Sequence, residues 1–195
     1  MSADGSRVAI GAYENDGNGN NSGHVRVYDH VNGSWTQVGS DIDGEAADDA
    51  SGQSVSMSSD GSKVAIGSPY SYDGNGQCLG QVRVYDLVNG SWTQVGDDID
   101  GEAANDRQGW SVSLSADGSR VAISAPNNDG NGNSAGLVRV YDLVNGSWTQ
   151  VGEDIDGEAA DDRSGDSVSL SADGSRVAIG ANQNDVNGTN SGHVR

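Results

Sequence analysis

The sequence predicts an all-β protein built from tandem antiparallel sheets, and three observations support this fold class. The chain repeats itself, because the string Ser-Ala-Asp-Gly-Ser or a near copy recurs at intervals of 56, 57 and 56 residues. Apolar residues within each copy alternate with polar or small ones, which is the period of a half-buried strand. Asp-Gly and Asn-Gly pairs separate the alternating runs and favour hairpin turns. The intervals are counted on Asp4, Asp60, Asp117 and Asp173.

Each copy contains four alternating runs. The first run is seen at residues 54–57 of the second copy. An Asp-Gly turn follows it and leads to the second run, which is seen at residues 7–10 of the first copy. The third run covers 25–28, and a tight Asn-Gly turn joins it to the fourth at 35–38. Each copy is therefore predicted to fold as a four-stranded antiparallel meander.

The repeat predicts four modules, of which only the middle two are complete. Four short strands cannot bury both faces of a sheet, so neighbouring modules must stack on one another. Four strands in a period of 56 or 57 residues fit the blade of a β-propeller. The first module lacks its opening strand and the last stops inside its third, so we expect an incomplete fragment of a larger propeller, with the remaining blades of the parent protein as partners. The predicted bounds are 1–49, 50–105, 106–162 and 163–195.

The charge of the chain limits its partners. It carries 29 acidic against 10 basic side chains, which gives a net charge of −19. Such a surface repels phosphate, so nucleic acid and anionic lipid are poor partners, whereas Ca²⁺, other cations and basic proteins are better ones. No stretch approaches the roughly 18 apolar residues of a membrane span, so direct membrane insertion is not expected. Cys78 is the only cysteine, which excludes an intrachain disulfide.

Two short motifs recur at fixed places in the modules. The residue pairs at 51–52, 108–109 and 164–165 read Ser-Gly, Gln-Gly and Ser-Gly, and residues 67–69 read Gly-Ser-Pro. These motifs resemble the FG-GAP repeat, the blade of integrin-α-like propellers, in which Phe-Gly opens the first strand and Gly-Ala-Pro closes the second. The glycine is kept here and the Phe is missing. The hairpin string Ser-Ala-Asp-Gly-Ser-Arg-Val-Ala-Ile separately resembles TolB-like propeller repeats.

The FG-GAP resemblance implies a blade of the kind found in secreted and cell-surface proteins. An extracellular or cell-surface location is therefore expected, although no signal peptide is recognised in the chain. In integrin-type blades the calcium loop joins strands one and two, whereas a tight Asp-Gly turn occupies that connection here. The metal site of the family is not expected to transfer.

Two other segments of each module carry the oxygen ligands that Ca²⁺ prefers. One is the long loop between the second and third strands, and the other is the link between modules; both are predicted to lie on one acidic rim. The preferred interpretation is that Asp, Asn and Gly simply form turns and keep the protein soluble, and Ca²⁺ sites are the alternative. The candidate ligands are Asp16, Asn18, Asn20, Asp129, Asn131 and Asn133 in the loops, and Asp41, Asp43, Glu45, Asp98, Asp100, Glu102, Asp154, Asp156 and Glu158 in the links.

No catalytic or cofactor-binding residue is predicted, and Ca²⁺ is the one candidate cofactor. A G-x-S-x-G string at 132–136 lies in a loop with no following helix, so it does not indicate a nucleophile. The position of His24 is Leu137 in another module, which argues against a required ligand or base. One tryptophan recurs in the modules as an expected packing anchor, while Trp110 stands alone beside the acidic rim. The recurring residues are Trp35, Trp92 and Trp148.

The near-identity of the modules favours a non-enzymatic extracellular or cell-surface module for adhesion, which binds protein or glycan through the acidic rim with assistance from Ca²⁺. Repetition multiplies one surface, whereas an active site needs a unique constellation. Two alternatives remain open. The chain could belong to a propeller enzyme, a hydrolase or lyase, with its catalytic residues elsewhere, or it could be a structural spacer.

Overall fold

The computed structural model describes residues 1–195 and shows an all-β chain. Seventeen strands form four antiparallel sheets, which confirms the predicted fold class at this level. The structure contains no helix that is long and apolar enough to cross a membrane.

The four sheets follow one another along the chain. The first contains β1 (Arg7–Ala12), β2 (His24–Val31), β3 (Ser34–Gln37) and β4 (Ile42–Asp43). The second contains β5 (Ser54–Met57), β6 (Lys63–Ser68), β7 (Gln81–Val88), β8 (Ser91–Gln94) and β9 (Ile99–Asp100). The third contains β10 (Val112–Leu114), β11 (Arg120–Ala125), β12 (Leu137–Val144), β13 (Ser147–Gln150) and β14 (Ile155–Asp156). The fourth contains β15 (Ser164–Leu170), β16 (Val177–Ala181) and β17 (His193–Val194).

Each sheet is a meander in which chain neighbours pair, as the hairpin signals predict. The strands β4, β9 and β14 differ from the prediction, which places a loop link there. The reason is a mismatch of length, because β2 has eight residues and β3 only four. A turn with Gly39 at φ 72° ends β3, and the chain then returns so that Ile42 pairs with Val25 on the unused half of β2.

The sheets are stacked face to face, and the stacking confirms that the modules share their apolar contacts. We call the side of a sheet toward the next sheet in the chain its front face, and the opposite side its back face. The front face of the first sheet presents Val25, Val27 and Ile42. It packs on the back face of the second sheet, which presents Val64, Ile66, Tyr85 and Trp92.

The same contact is repeated twice more along the chain. The front face of the second sheet packs on the back face of the third, and the front face of the third packs on the fourth. The indole Nε1 of Trp92 donates a hydrogen bond to the carbonyl oxygen of Val38 at 3.0 Å, and that of Trp148 donates to Val95 at 2.9 Å. Each of these tryptophans therefore joins its sheet to the preceding one.

Backbone contacts also join the sheets, at the rim that carries the Asp-Gly turns. The amide of Ala3 donates to the carbonyl of Ser59, Ser59 to Ala116, and Ala116 to Ala172, each at 2.8 Å. Across the same interfaces the backbones approach so closely that a Cβ at Gly67 would lie 2.0 Å from the carbonyl oxygen of Gly109. This approach explains why Gly67 has no side chain. The glycines of the Ser-Gly and Gln-Gly pairs, Gly52, Gly109 and Gly165, have positive φ angles of 89°, 86° and 93°, a conformation that favours glycine.

Candidate functional site

The long loops and the links lie together on one rim, which we call the long-loop rim. It consists of the loops 13–23, 69–80, 126–136 and 182–192 and the links 41–53, 98–111 and 154–163. Loop and link are joined directly, because the side-chain Nδ2 of Asn18 donates to the carbonyl of Gly44 at 2.8 Å, and Gly23 forms a parallel bridge with Ser51. The acidic segments of the sequence are therefore gathered on one rim.

The candidate ligands of the loops are engaged within this scaffold. Asp16 accepts a hydrogen bond from the amide nitrogen of Asn21 at 2.8 Å, and Asp129 accepts one from Ser134 at 2.7 Å. Asn131 donates to the carbonyl of Gly157 at 2.8 Å, as Asn18 does to Gly44. The Asn20 side chain lies 3.3 Å from Asp48, and the carbonyl of Asn133 accepts from the amide of Asp161 at 2.7 Å. These contacts hold the loops on the links, and calcium binding stays a prediction.

The candidate ligands of the links fall into three groups. Asp41 and Asp154 form ion pairs with the arginine of their own module, Arg26 and Arg139, at 2.7 and 2.6 Å. Asp98, the third member of this group by position, instead accepts from Gln94 at 2.7 Å. The second group lies exposed on the two-residue strands β4, β9 and β14 and consists of Asp43, Asp100 and Asp156.

The third group contacts the following module. Glu45 pairs with Arg83 at 3.2 Å, Glu102 with Arg139 at 2.7 Å and Glu158 with Arg195 at 3.5 Å. Each ion pair thus crosses an interface between sheets.

One group of potential metal ligands converges, and it includes a histidine that the sequence argues against. Ligand atoms of His24, Asp41 and Asp43 lie within 4.8 Å of one another. Arg26 donates to both carboxylate oxygens of Asp41, and Gln37 donates a further hydrogen bond at 2.7 Å. These donors lower the pKa of Asp41 to about 2. The Asp41 carboxylate is therefore already balanced by a positive charge.

Buried carboxylates at the links were not singled out by the sequence. Asp49, Asp106 and Asp162 are 3–4% exposed. Burial raises the pKa of Asp49 and of Asp106. The side chain of Asn128 donates to Asp106 at 2.7 Å, and that of Asn184 donates to Asp162 at the same distance.

We call this contact between a loop asparagine and a buried link aspartate the Asn–Asp clamp.

The second module lacks this clamp. Ser71 occupies the position of Asn128, because the two residues form the same backbone hydrogen bonds. The amide of each donates to the carbonyl three residues earlier, at the end of a strand, and the carbonyl of each accepts from the last glycine of the loop. The Ser71 hydroxyl donates instead to Gln81 at 2.6 Å. Gln81 in turn donates to Glu45 at 3.3 Å. Asp49 therefore has no loop asparagine at its carboxylate.

A pocket of about 260 Å³ lies beside Ser71 and Gln81 in the second module, and Asp49 does not line it. Its floor is formed by the buried Ser71 and Gln81, and its walls carry carboxylates from the loop and both neighbouring links. Burial and the nearby carboxylates of Asp98, Glu45 and Asp73 raise the pKa of Asp100. The aromatic side chain at its edge is Tyr72, which is 56% exposed. The acidic side chains that line the pocket are Glu45, Asp73, Asp98 and Asp100.

Tyr72 is an additional residue that the other modules lack. The loop 69–80 has twelve residues, whereas the loops 13–23, 126–136 and 182–192 have eleven. With Ser71 at the position of Asn128 and Asp73 at that of Asp129, Tyr72 is the insertion. The sequence shows this insertion as the single 57-residue interval between Asp60 and Asp117, but only the structure shows that the additional residue is Tyr72.

An aromatic cluster lies on the other side of the same loop. The guanidinium of Arg107 stands 5.1 Å from the ring centre of Tyr70 and 5.8 Å from that of Trp110, as cation–π contacts do. The lone Trp110 is therefore part of a cluster that is specific to the second interface.

Comparisons with known proteins give the fold but no family. No protein-family model matches the chain, and no curated protein matches it. The structure resembles that of a putative 6-phosphogluconolactonase from Bacteroides uniformis, at 15% identity and a TM-score of 0.52, over 80% of this chain and 40% of that one. It also resembles hydrazine synthase from Kuenenia stuttgartiensis, at 13% identity and a TM-score of 0.54, over 100% of this chain and 56% of that one. The chain thus spans about half the length of these two proteins.

These comparisons correct one expectation. The sequence favours a non-enzymatic protein, and this prediction is wrong, because the Bacteroides uniformis structure, which has a similar fold, is that of a putative enzyme. The prediction assumed that all modules are alike. The second module is not like the others, because it alone carries the inserted Tyr72 beside an acidic pocket. A fold by itself does not decide between binding and catalysis. The FG-GAP resemblance stays a prediction.

Proposed function

We propose that this chain is a segment of a β-propeller that binds a carbohydrate in the pocket of the second module. The propeller arrangement is supported by three successive sheet contacts in which a front face always meets a back face. Sheets that pack repeatedly in one sense are typical of blades around a common axis. The extracellular or cell-surface location and a role in adhesion belong to the same proposal and are supported by the FG-GAP resemblance.

The observation that carries the proposal is the acidic pocket beside Ser71 and Gln81, with the inserted Tyr72 among the residues that line it. An exposed aromatic ring offers an apolar face on which the C–H face of a sugar can lie. Carboxylates only accept hydrogen bonds, and sugar hydroxyls can donate to them. Asp73, Asp98 and Asp100 thus supply acceptors around one aromatic platform.

The charge of the pocket narrows the class of carbohydrate. Four carboxylates line it, and the whole chain carries a net charge of −19. Phosphorylated or acidic sugars would be repelled. We therefore propose a neutral sugar or an amino sugar, whose ammonium group the carboxylates would attract. Ca²⁺ assistance through the rim carboxylates remains part of the proposal.

The experiment is a glycan array followed by calorimetric titration of the best ligand. Tyr72→Ala and Asp100→Asn should each weaken binding at least about tenfold, because they remove the platform and one acceptor. Asp156→Asn is the matched control, since Asp156 occupies the position of Asp100 in the third sheet, where the clamp is intact.

The outcomes separate the candidate partners. Equal loss of affinity in Asp156→Asn and Asp100→Asn would contradict a site in the second module. Binding of basic peptides with no glycan bound would replace the carbohydrate by a protein partner. Repeating the titration with a chelator shows whether Ca²⁺ is required, because a required ion would leave no binding in its absence.

A second candidate function is hydrolysis or elimination on the bound carbohydrate. The carboxylates that line the pocket favour it, together with the pKa of Asp100, which burial raises, since two carboxyl groups at one site can serve as acid and base. Product analysis after incubation with the array ligand tests it, and turnover that persists in Asp100→Asn would exclude Asp100 as the acid.

A further inference from the structure

His24 is a buried polar side chain whose ring forms no hydrogen bond. It is the first residue of β2, and its side chain is 7% exposed. Its Nδ1 lies 3.9 Å from Oδ2 of Asp41, which is beyond hydrogen-bond distance. A buried imidazole without a partner costs free energy, so a bound group that its nitrogen can contact would stabilise this position.

The counterparts of His24 in the next two modules leave no such group without a partner. Gln81 of the second module accepts a hydrogen bond from the Ser71 hydroxyl and donates one to Glu45. Leu137 of the third module has no polar atom in its side chain. The first module therefore differs from both, because it places an unpartnered nitrogen at this buried position.

Two carboxylates lie beside that nitrogen. Asp43 stands directly opposite His24 in the pairing of β4 with β2. Ligand atoms of His24, Asp41 and Asp43 lie within 4.8 Å of one another. The ligand atoms around a tetrahedral Zn²⁺, with bonds of about 2.0–2.1 Å, are about 3.4 Å apart. Because Asp43 is exposed, its carboxylate is free to rotate and close this difference.

The ion pair between Asp41 and Arg26 leaves a position for a cation. An ionised carboxylate has about four acceptor sites. At Asp41 three N–H donors occupy them, namely Nε and Nη2 of Arg26 and Nε2 of Gln37, so that one site is left. The two negative charges of Asp41 and Asp43 also exceed the single positive charge of Arg26. The local charge is therefore negative and attracts a cation.

We propose that His24, Asp41 and Asp43 form a binding site for a divalent transition metal ion such as Zn²⁺. Imidazole is a ligand for ions of this class, whereas Ca²⁺ takes oxygen ligands. The site therefore differs in its chemistry from the Ca²⁺ sites predicted for the rim. Three protein ligands leave at least one coordination position for water. The site belongs to the first module and is independent of the carbohydrate pocket.

Calorimetric titration of Zn²⁺ into the metal-free full chain at pH 7 tests the proposal. One ion should bind, and His24→Leu should weaken binding by at least about tenfold, the loss that even outer partners of a metal site cause. The third module has leucine at this position, so the fold accepts the change. Asp43→Asn should weaken binding as well. Asp156→Asn is the matched control, because Asp156 stands opposite Leu137 and should leave Zn²⁺ binding unchanged.

NMR of the imidazole nitrogens gives a second measurement on the unmodified chain. The signals of His24 should shift when Zn²⁺ is added, while those of His30 and His193 stay in place. Shifts at His30 or His193 with His24 unchanged would overturn the proposal, as would unchanged affinity in His24→Leu or the absence of any binding. Equal losses in Asp43→Asn and Asp156→Asn, or displacement of Zn²⁺ by an equal concentration of Ca²⁺, would indicate acidic side chains alone and also overturn it.

Discussion

The first and third sheets contain the same strand, Ser-Trp-Thr-Gln, in two different environments. Trp148 packs on the second sheet and donates to Val95, whereas Trp35 is half exposed and forms no hydrogen bond. The local sequence, the strand length and the pairing register are alike in the two places. The difference shows that these sheets gain their apolar burial from the neighbouring sheet and not from their own strands.

The largest expected effect is on the tryptophan anchors. Trp148→Ala should lower the free energy of unfolding by about 3 kcal/mol, because it removes a large packed side chain. Trp35→Ala should change it by no more than about 0.5 kcal/mol, as exposed substitutions do. Urea denaturation of the two variants measures both values. Similar losses would show that Trp35 is packed in solution.

An intermediate effect is expected from the Asn–Asp clamp. Asn128→Ala leaves the buried Asp106 without its side-chain donor and should lower the free energy of unfolding by about 1–2 kcal/mol. Asn15 occupies the same position in the first module, where its side chain accepts only from the amide of Gly17. Asn15→Ala should therefore change stability by no more than about 0.5 kcal/mol. The same urea titration compares them, and equal losses would mean that the clamp adds nothing beyond the loop turn.

The smallest contrast is expected at the Asp-Gly turns, because their contacts lie within one turn. Hydrogen bonds from the neighbouring serines lower the pKa of Asp4 and of Asp117 from 3.8 to about 2. Between these values the unfolded chain binds more protons than the folded one, so stability falls as the pH is lowered from about 4 to about 2. Asp4→Asn and Asp117→Asn should each reduce this pH dependence by a similar amount.

Thermal melting from pH 5 to pH 2 measures that dependence. The buried Asp49 and Asp106 act in the opposite direction, because their raised pKa values make ionisation unfavourable as the pH rises. They are unchanged in both turn variants, so the comparison isolates the turns. A much larger effect of Asp117→Asn would show that the turn depends on the neighbouring sheets.

The sequence was sufficient for the features that depend on local pattern. Alternation at 54–57 and the Asp-Gly and Asn-Gly turns predict the strands and their order, and the recurring tryptophan predicts the anchors at Trp92 and Trp148. The ladder of β4, β9 and β14 could not be predicted, because it depends on the difference in length between paired strands.

The site was harder to predict because its parts come from different modules. The sequence predicts Glu45 as a candidate Ca²⁺ ligand in the link between modules, and only the stacking of the sheets brings it to Arg83. The buried Asp106 looks like any other acidic residue until Asn128 is seen beside it. The pocket is lined by Ser71, which stands where the third module has Asn128, and by the inserted Tyr72, and the sequence alone does not show that these two residues meet Asp98 and Asp100.

The most direct measurement is hydrogen exchange at the indole nitrogens of the chain as it stands. If the sheets stack as described, the indole hydrogens of Trp92 and Trp148 exchange slowly and that of Trp35 exchanges rapidly. Rapid exchange at Trp92 and Trp148 would show that the sheets do not cover one another and would contradict the account.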